Sequence, residues 1–520
     1  MKLFGSGKWR RCSSLLILVS FGVWPVFGAT ITVTNTNDSG SGSMRDAIAI
    51  ASPGDTINFS VTGTINYASP FYINKSLTIS GPGAGNLALN GNNANASQAL
   101  VIGDSAAVTV AISGITVVNS NTVNPPNVLG YGGAILNYGT TNLSNIVVTG
   151  CLGTQGGILN VSGGTLTLIN STLSGNAAVY YGGGLENSAG TVTIINSTIS
   201  KNFAYVMGGG LTNFSGTMTV INSTIAGNQS GNCAGCAPVA QAMGGGLMND
   251  GLGVLNITNS TVSGNIAPRG ASLFTYSNLV TLKNTIFANV NSGVAGVAAV
   301  NCYGPATNPI AGTSNPNSLG HNLSDDASCF LAGPGDLNNV PAGLDPGGLQ
   351  NNVGTTQTIA LLPGSPAIDK VPSSDCTVAT DQRGISRPQG PACDMGSFEV
   401  VEAAPYKVCL LYDPAKAVNS GATDPIKLQL CDGSGNDLSS SATAVHATGI
   451  TQVSTSISGG VQSSGNANPN NDFRFDSTLG STGGYIFNLS TKGLAAGAYN
   501  LNFTVKGVSY SGYAAPFQVK

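Results

Sequence analysis

INSTLSGN at 169–176, INSTISKN at 195–202, INSTIAGN at 221–228 and TNSTVSGN at 258–265 are copies of one eight-residue pattern. A weaker copy, LKNTIFAN, stands at 282–289, and an earlier one, SNIVVTGC, at 144–151. Aligned on these copies, the second position reads Asn145, Asn170, Asn196, Asn222, Asn259 and Lys283, in steps of 25, 26, 26, 37 and 24 residues. A fixed period of this size marks a stack of repeated units. A second motif interleaves with the first: GGAILN at 132–137, GGILN at 156–160, then GGGLEN, GGGLTN and GGGLMN ending at Asn187, Asn213 and Asn249. Ahead of the INST copies run short alternating stretches, TLTLI, TVTII or TMTVI, with the period of two of a β-strand.

Working outward from the repeat, Leu166/Leu168, Val192/Ile194, Met218/Val220 and Leu255/Ile257 share one face of that strand. Leu173, Ile199, Ile225, Val262 and Ile286 fill the equivalent slot of the strand that follows. Three short strands per repeat, separated by Gly and Asn bends, make one coil of a parallel β-helix, each coil stacking on the last at about 4.8 Å. Glycine permits the positive φ of a sharp bend. Asparagine tolerates the same region, and its amide can bond to the Asn above and below. Asn145, Asn170, Asn196, Asn222 and Asn259 are therefore expected to form a structural Asn ladder. Cys151 falls in a second column with Asn176, Asn202, Asn228, Asn265 and Asn289, as a buried thiol replacing one rung. A solenoid from about residue 56 to 320 would hold roughly ten coils over about 50 Å.

Composition agrees. Of 520 residues 72 are glycine, and only 8% are charged against 41% hydrophobic. With 19 Lys+Arg the chain lacks the basic footprint of a nucleic-acid binder. It is too apolar to be disordered, and its glycines do not fall at every third position as collagen requires. Residues 1–28 carry Lys2, Lys8, Arg10 and Arg11, then the apolar run Leu15–Val23, with Val26 and Gly28 placed for cleavage, which predicts a secretory signal peptide. The mature chain keeps 15 Lys+Arg against 22 Asp+Glu, a net charge of −7. No later stretch reaches 18 uninterrupted apolar residues, so no second membrane span is expected. Export permits disulfides. Pairing of sequence neighbours gives Cys233–Cys236, Cys302–Cys329, Cys376–Cys393 and Cys409–Cys431 as the proposed structural set, with Cys151 left over.

The GGAI-like motif followed by an Asn-bearing repeat resembles the repeats of polymorphic outer-membrane proteins and, more broadly, the right-handed, pectate-lyase-like β-helix superfamily. The opening ITVTNTNDSGSGSMRDAIAIASPGDTINF at 31–59 is similar to the start of secreted β-helix proteins. There Ser43 would N-cap a short helix whose Met44, Ile48 and Ala51 cover the open first coil. LLPGSPAID followed by TDQRGISRPQGPACDMGSFE, within 361–399, resembles the choice-of-anchor Q domain that ends many secreted bacterial β-helix proteins. Where members of that group carry varied surface anchors, 115 further residues follow Pro405 here. Their strands (KVCLLY, PIKLQLC, TAVHATGI, FRFD, GYIFNLS, YNLNFTV, PFQVK) read as a small immunoglobulin-like β-sandwich. The expected fold is thus all-β, a right-handed parallel β-helix with a short N-terminal cap helix and a C-terminal sandwich. The chain divides into a signal peptide (1–28), a cap with the first coils (29–103), the regular β-helix (104–330), a choice-of-anchor Q-like segment (331–403) and the sandwich (404–520).

Chemistry is sparse. Between residues 105 and 324 the charged residues are Glu186, Lys201, Asp250, Arg269 and Lys283. Glycosidases need two carboxylates at a defined separation, and the superfamily resemblance implies an acidic Ca²⁺ cluster with an Arg or Lys base for lyases. Glu186 and Asp250, two coils apart and expected on opposite pleats, supply neither. The segment 361–399 is richer, with Asp369, Asp381, Asp394 and Glu399 alternating with Arg383 and Arg387. They are expected to form a salt-bridged plug closing the last coil, with an ion-binding or catalytic site as the alternative. Cys233-Ala-Gly-Cys236 lies in the insertion that lengthens one repeat and reads as a clip on a loop. His321 and His446 receive no role, Asp432–Asp437 reads as a hairpin turn, and the Asn-Ser-Thr sequons as structural. Six residues before each coil Asn stand Tyr131, Thr154, Tyr181, Met207 and Met243, beside Tyr180 and Tyr205. This column either packs a loop or stacks sugars. The expected role is non-catalytic adhesion, matrix attachment or display at or outside the cell surface, with a glycan or cell-envelope component as partner and no cofactor or metal. The competing role is an extracellular polysaccharide lyase or glycoside hydrolase using the 361–399 acids.

Overall fold

The computed structural model describes residues 28–520 apart from 93–97, 105–106, 124–131, 162, 232–241, 278, 295–296, 305–315, 402–404, 454–457, 462–467, 481 and 507–511. Among the described residues, parallel strands build three long sheets around one apolar core. The first has eleven strands, from Thr30–Val33 to Asn317–Ser318; the second has nine, from Phe71–Ile73 to Cys302–Tyr303; the third has eleven, from Gly63–Asn66 to Leu337–Asn338. A short fourth sheet of four strands, Leu152–Gln155 to Gln229–Ser230, widens the middle coils. This is a parallel β-helix. The stack starts earlier than residue 56, because Thr30–Val33 already pairs with Thr56–Phe59 as the first rung.

One coil shows how sequence becomes shape. Leu211 enters the core from the second sheet, Met218 and Val220 from the first and Ile225 from the third, all nearly fully buried. Each buried side chain of this size contributes about 1.5–3 kcal/mol, and the same slots recur in every coil. Between the sheets the chain must turn at positive φ. Asn145, Asn170, Asn196, Asn222 and Asn259 hold φ between 47° and 52° at the bend before the third sheet. Gly150, Gly175, Gly227 and Gly264 hold φ of 63–66° at the bend after it.

The amide ladders lie in other columns. Asn137, Asn160, Asn187, Asn213 and Asn249 are buried, and each Nδ2 donates to the Oδ1 of the next at 2.7, 2.8, 2.8 and 2.7 Å. A second buried set, Asn176, Asn202, Asn228 and Asn265, links in the same sense at 3.0, 2.9 and 3.0 Å. Ser171, Ser197, Ser223 and Ser260 form a hydroxyl column, each accepting from the backbone N–H one coil earlier at 3.1–3.2 Å. In the expected column, among the described residues, only Asn222 Nδ2 to Asn196 Oδ1 (2.7 Å) joins two of the five members, and Asn284 Nδ2, one coil further on, reaches Asn259 Oδ1 at 3.3 Å. The reason is geometric: at a left-handed bend the Asn supplies the turn and its amide faces outward, whereas a ladder needs an inward amide. Six of the eight positions of INSTLSGN therefore decode as bend Asn, hydroxyl Ser, outward Thr, core Leu, bend Gly and ladder Asn.

The last copy slips by one residue. Asn259 is followed by Asn284 (φ 52°), not Lys283, and Val262 pairs with Phe287, which fills the core slot assigned to Ile286. Asn289 (φ 56°) correspondingly belongs with the bend glycines rather than the Asn ladder. Cys151 does head that ladder: its N–H donates to Asn176 Oδ1 at 3.1 Å, and its thiol is free and buried.

At the open N-terminal end lies a helix, Met44–Ile50, with Ser43 Oγ accepting from Asp46 N and Met44, Ala47 and Ile48 buried. Lys75 Nζ donates to the carbonyls of Ile48, Ala49 and Ala51, a cation at the helix C-terminus. Near the other end Cys302 is bonded to Cys329.

Residues 340–400 depart from the expected plug. They run back along the outside of the third sheet as a strap across four coils. Thr356 Oγ1 donates to Asn196 O, Asn222 Nδ2 to Thr380 O, Thr377 Oγ1 to Asn259 Oδ1, and Asn284 Nδ2 to Asp375 O. Burial follows the strap. Outward positions of Val147–Thr149 and Thr172–Ser174 are half-exposed, but those of Thr198–Ser200, Thr224–Ala226, Thr261–Ser263 and Ile286–Ala288 are buried. Ile286 packs outward with Leu344, Ile359 and Val371.

The C-terminal unit is a sandwich of two four-stranded antiparallel sheets. Numbering its eight strands along the chain, the sheets order as 1-2-6-5 and 4-3-7-8, the immunoglobulin arrangement. Cys409–Cys431 joins the neighbouring first and second strands of one sheet rather than crossing between sheets. Phe473, Tyr485, Phe487, Phe503 and Phe517 fill the core instead.

Replacing Asn202 by Ala leaves the Asn176 and Asn228 amides short of a partner and is expected to cost about 2–3 kcal/mol. Asn145→Gly keeps the left-handed bend and should change stability by less than about 0.5 kcal/mol. Urea midpoints at constant m-value check both.

Candidate functional site

Asp369, Asp381, Asp394 and Glu399 of the strap are brought together, and each accepts from the strap's own backbone. Asp381 Oδ1 accepts from the N–H of Arg383 and Ile385 at 2.8 and 3.0 Å, and its Oδ2 from Arg383 Nε at 2.7 Å and Glu399 N at 3.0 Å. Glu399 pairs with Arg387 at 2.8 Å, both side chains fully buried, and accepts from Gln389 N and Asp394 N. Asp394 accepts from Asp369 N at 2.8 Å and Val400 N at 2.6 Å. Asp369 Oδ1 accepts from Ala392 N at 3.3 Å. Arg387 also donates to the carbonyls of Asp394 and Gly396, while Arg383 lies 3.5 Å from the Phe398 ring centroid. Burial, and then the Glu399 carboxylate, push Asp394 up to about 7. The motif TDQRGISRPQGPACDMGSFE is thus a hydrogen-bonding knot tied by its own backbone, with Cys376 bonded to Cys393 at its edge. Gln382 fastens it to the β-helix: its Oε1 accepts from Thr224 Oγ1 at 2.6 Å, and its Nε2 donates to Thr198 Oγ1 at 3.0 Å.

On the β-helix, Glu186 and Asp250 point the same way rather than to opposite pleats. Asp250 pairs through Phe214 with Ser188, two residues beyond Glu186 on one strand, so both face outward, about 10 Å apart along the axis. That exceeds the working separation of a glycosidase pair. Asp250 accepts from Gly251 N within its own turn. Glu186 is 5% exposed, one carboxyl oxygen is buried without a hydrogen-bond partner, and burial lifts its carboxyl to about 8.

Glu186 marks a feature the sequence reading passed over. The outward positions of the second sheet align as Tyr72, Val101, Leu136, Leu159, Glu186, Thr212, Met248, Phe274 and Tyr303. The second motif carried the signal, because the residue just before its Asn reads Leu, Leu, Glu, Thr, Met down the repeats. Beside this column, Tyr181, Met207, Met243 and Arg269 bridge in parallel from coil to coil. Tyr181 packs edge-on against Phe214 at 5.0 Å, and Tyr276 Oη donates to Met243 Sδ at 3.4 Å. That column is a packed roof. Its neighbours are not: Tyr180 and Tyr205 are 40% and 38% exposed, and Tyr72, Tyr138 and Tyr276 are 52%, 42% and 48% exposed. Of the five exposed tyrosines among the described residues, Tyr72, Tyr138 and Tyr276 sit on, or directly after, strands of the second sheet, and Tyr180 and Tyr205 on, or directly after, strands of the fourth sheet that precedes it in each coil. Tyr131 lies outside the described residues.

The remaining candidates fall elsewhere. Cys233 and Cys236 lie outside the described residues. His321 (φ 55°) occupies a bend position and approaches Asp375 at 3.6 Å, where Lys283 also pairs at 2.9 Å and holds the Asp375 carboxyl below the usual range. His446 pairs with Asp472 at 2.8 Å on the sandwich. Asp432 accepts from Ser434 N and Asn436 N, closing a turn. Among the described residues no group of three His, Cys, Asp or Glu side chains could hold a metal ion.

Arg387→Met strands the buried Glu399 carboxylate, an expected loss of about 3–5 kcal/mol. The strap should become open to trypsin after Lys370 and Arg383 while the far-ultraviolet spectrum of the β-helix persists. For Glu186, an unfolded glutamate titrates near ~4.3, so the folded chain holds a proton that the unfolded chain releases between that value and about 8. Stability contributed by the neutral form is complete below ~4.3 and is lost as pH rises through about 8. Glu186→Gln is therefore expected to raise the melting temperature at pH 9 and to leave it nearly unchanged at pH 4.

No protein-family model matches the chain, and no curated protein matches it.

Proposed function

We propose that this chain is an exported protein of the cell surface or its surroundings that works by attachment, with the tyrosine-bearing fourth and second sheets as its contact surface for an extracellular glycan. The observation that carries this reading is the exposure of Tyr72, Tyr138 and Tyr276 on the second sheet, and of Tyr180 and Tyr205 on the fourth sheet before it, in an otherwise charge-poor stack. A tyrosine ring offers a flat apolar face with a polar edge, and such rings suit the C–H faces and hydroxyl rims of sugars. Coils spaced by about 4.8 Å present them in series, so one extended chain could touch several.

Three disulfides among the described residues fit an oxidising compartment. No helix of the described residues is long and apolar enough to cross a membrane. The basic, then apolar, opening at 1–28 supports export by a signal peptide. The resemblance to pectate-lyase-like β-helices and to polymorphic outer-membrane protein repeats supports an extracellular role, and 331–403 is read as a choice-of-anchor Q-like segment. Its expected surface association accords with attachment.

The competing lyase or hydrolase reading places chemistry on Asp369, Asp381, Asp394 and Glu399. Each of these accepts a backbone N–H inside the strap, and that commitment weighs against it. The test is binding of the mature protein to an array of neutral and acidic polysaccharides, with product analysis in parallel. Tyr180→Ala with Tyr205→Ala should weaken capture roughly tenfold at unchanged melting temperature. Calcium-dependent turnover that disappears in a folded Asp381→Ala variant would overturn the proposal.

A further inference from the structure

Lys201 stands where a lysine is not expected. The bend after the third sheet reads Asn119, Gly150, Gly175, Lys201, Gly227, Gly264 and Asn289 from coil to coil, all at positive φ between 53° and 66°. Six of these seven rungs use the two residue types that tolerate the left-handed region. Lys201 adopts it at φ 53° against its preference. It is also the only Lys or Arg between Lys75 and Arg269. A strained cation in a stretch that otherwise avoids charge calls for a reason, and the fold does not supply one. The side chain is exposed, and none of the ion pairs among the described residues uses it.

The reason lies beside it. Lys201 opens a cleft of about 540 Å³ between this bend column and the strap. Gly227, Gly264 and Asn289 continue the floor for three rungs, about 14 Å at the coil spacing. Leu344, Leu349 and Ile359 of the strap make the facing wall aliphatic. The cleft's one carboxylate, Asp345, accepts from Gly347 N at 2.8 Å and Gln350 Nε2 at 2.9 Å, so it is already engaged within the strap. We propose that this cleft binds an extended peptide of about four residues with aliphatic side chains and a free carboxylate, anchored by Lys201. No aromatic side chain lines it, which separates it from the tyrosine face and favours aliphatic peptide side chains over sugar rings. The bare glycine floor lets a main chain lie close to the coil backbone. The site shares no residue with the tyrosine face and stands or falls independently of it.

The test uses fluorescence polarisation of the full mature chain with an N-terminally labelled Ala-Leu-Val-Leu peptide, as free acid and as C-terminal amide. The native protein should bind the acid roughly tenfold more tightly than the amide. Lys201→Gly should abolish that preference while the melting temperature rises by about 1–2 °C, because glycine suits the left-handed bend. The paired readout separates a ligand anchor from a structural lysine. Equal binding of acid and amide, no binding of either, a retained preference in Lys201→Gly, or a lower melting temperature in that variant would each overturn the proposal. An acidic oligosaccharide that displaces the peptide and itself depends on Lys201 would reassign the cleft to a glycan and likewise overturn it.

Discussion

The turn between sheets is the constraint on which the β-helix rests. A coil that must close every few residues cannot satisfy its bends with ordinary L-residue geometry, and it cannot leave their inward polar groups dry. Both demands are met at once by pairing a left-handed Asn or Gly with an inward-facing Asn or Ser one or two positions away. Asn196 with Ser197, and Gly227 with Asn228, are such pairs. Each inward group bonds to its copy in the next coil, so satisfaction depends on stacking. A single coil would bury amides without partners; a stack buries them in chains of hydrogen bonds that reinforce one another. The same logic accounts for the ends, where Ile73 and Ile102 occupy the column before its Asn run and Thr275 follows it.

The strap obeys a different rule. Its carboxylates and guanidiniums are buried, which is costly unless every charge meets both a partner and a donor. Arg387 with Glu399, and Arg383 with Asp381, are paired in this way, with backbone groups filling the remaining positions except the buried Arg387 Nε. The knot is therefore rigid. That rigidity is also what shapes the Lys201 cleft, since Leu344 and Ile359 are held in position by the same packed segment.

Much of this was legible in the residues, because a repeat repeats its physics. Alternation in TVTII and TMTVI gave the first sheet, Gly and Asn gave the bends, and Ser43 with Met44 and Ile48 gave the cap. The Asn176 column was read as a ladder, but the bend column was read as one too and the Asn137 column was not, since a bend Asn and a ladder Asn look alike until the direction of the amide is known. Two local signals went unread: Lys283-Asn284 offers the better match one residue later, and Phe287 is the larger core residue. The strap's course along the side was out of reach for a plainer reason. Its contacts join residues about 90–185 apart, and no local pattern encodes such a pairing. Only the drift from Thr172 and Ser174 to Ile286 and Ala288 at outward positions hinted that something covers those coils.

A bare solenoid is close to one-dimensional: each coil feels only its neighbours, and folding can propagate from any of them. The strap ends that independence. By tying the coil of Asn196 to the coil of Asn284 through one folded-back segment, it makes four coils reach their final state together. It also makes them wait for residue 400 to emerge and return. The early coils can form as they are made, whereas the covered ones close only through contacts of high sequence separation, which form slowly. The molecule is thus kinetically divided along its axis, with a quick N-terminal half and a C-terminal half locked last, from outside.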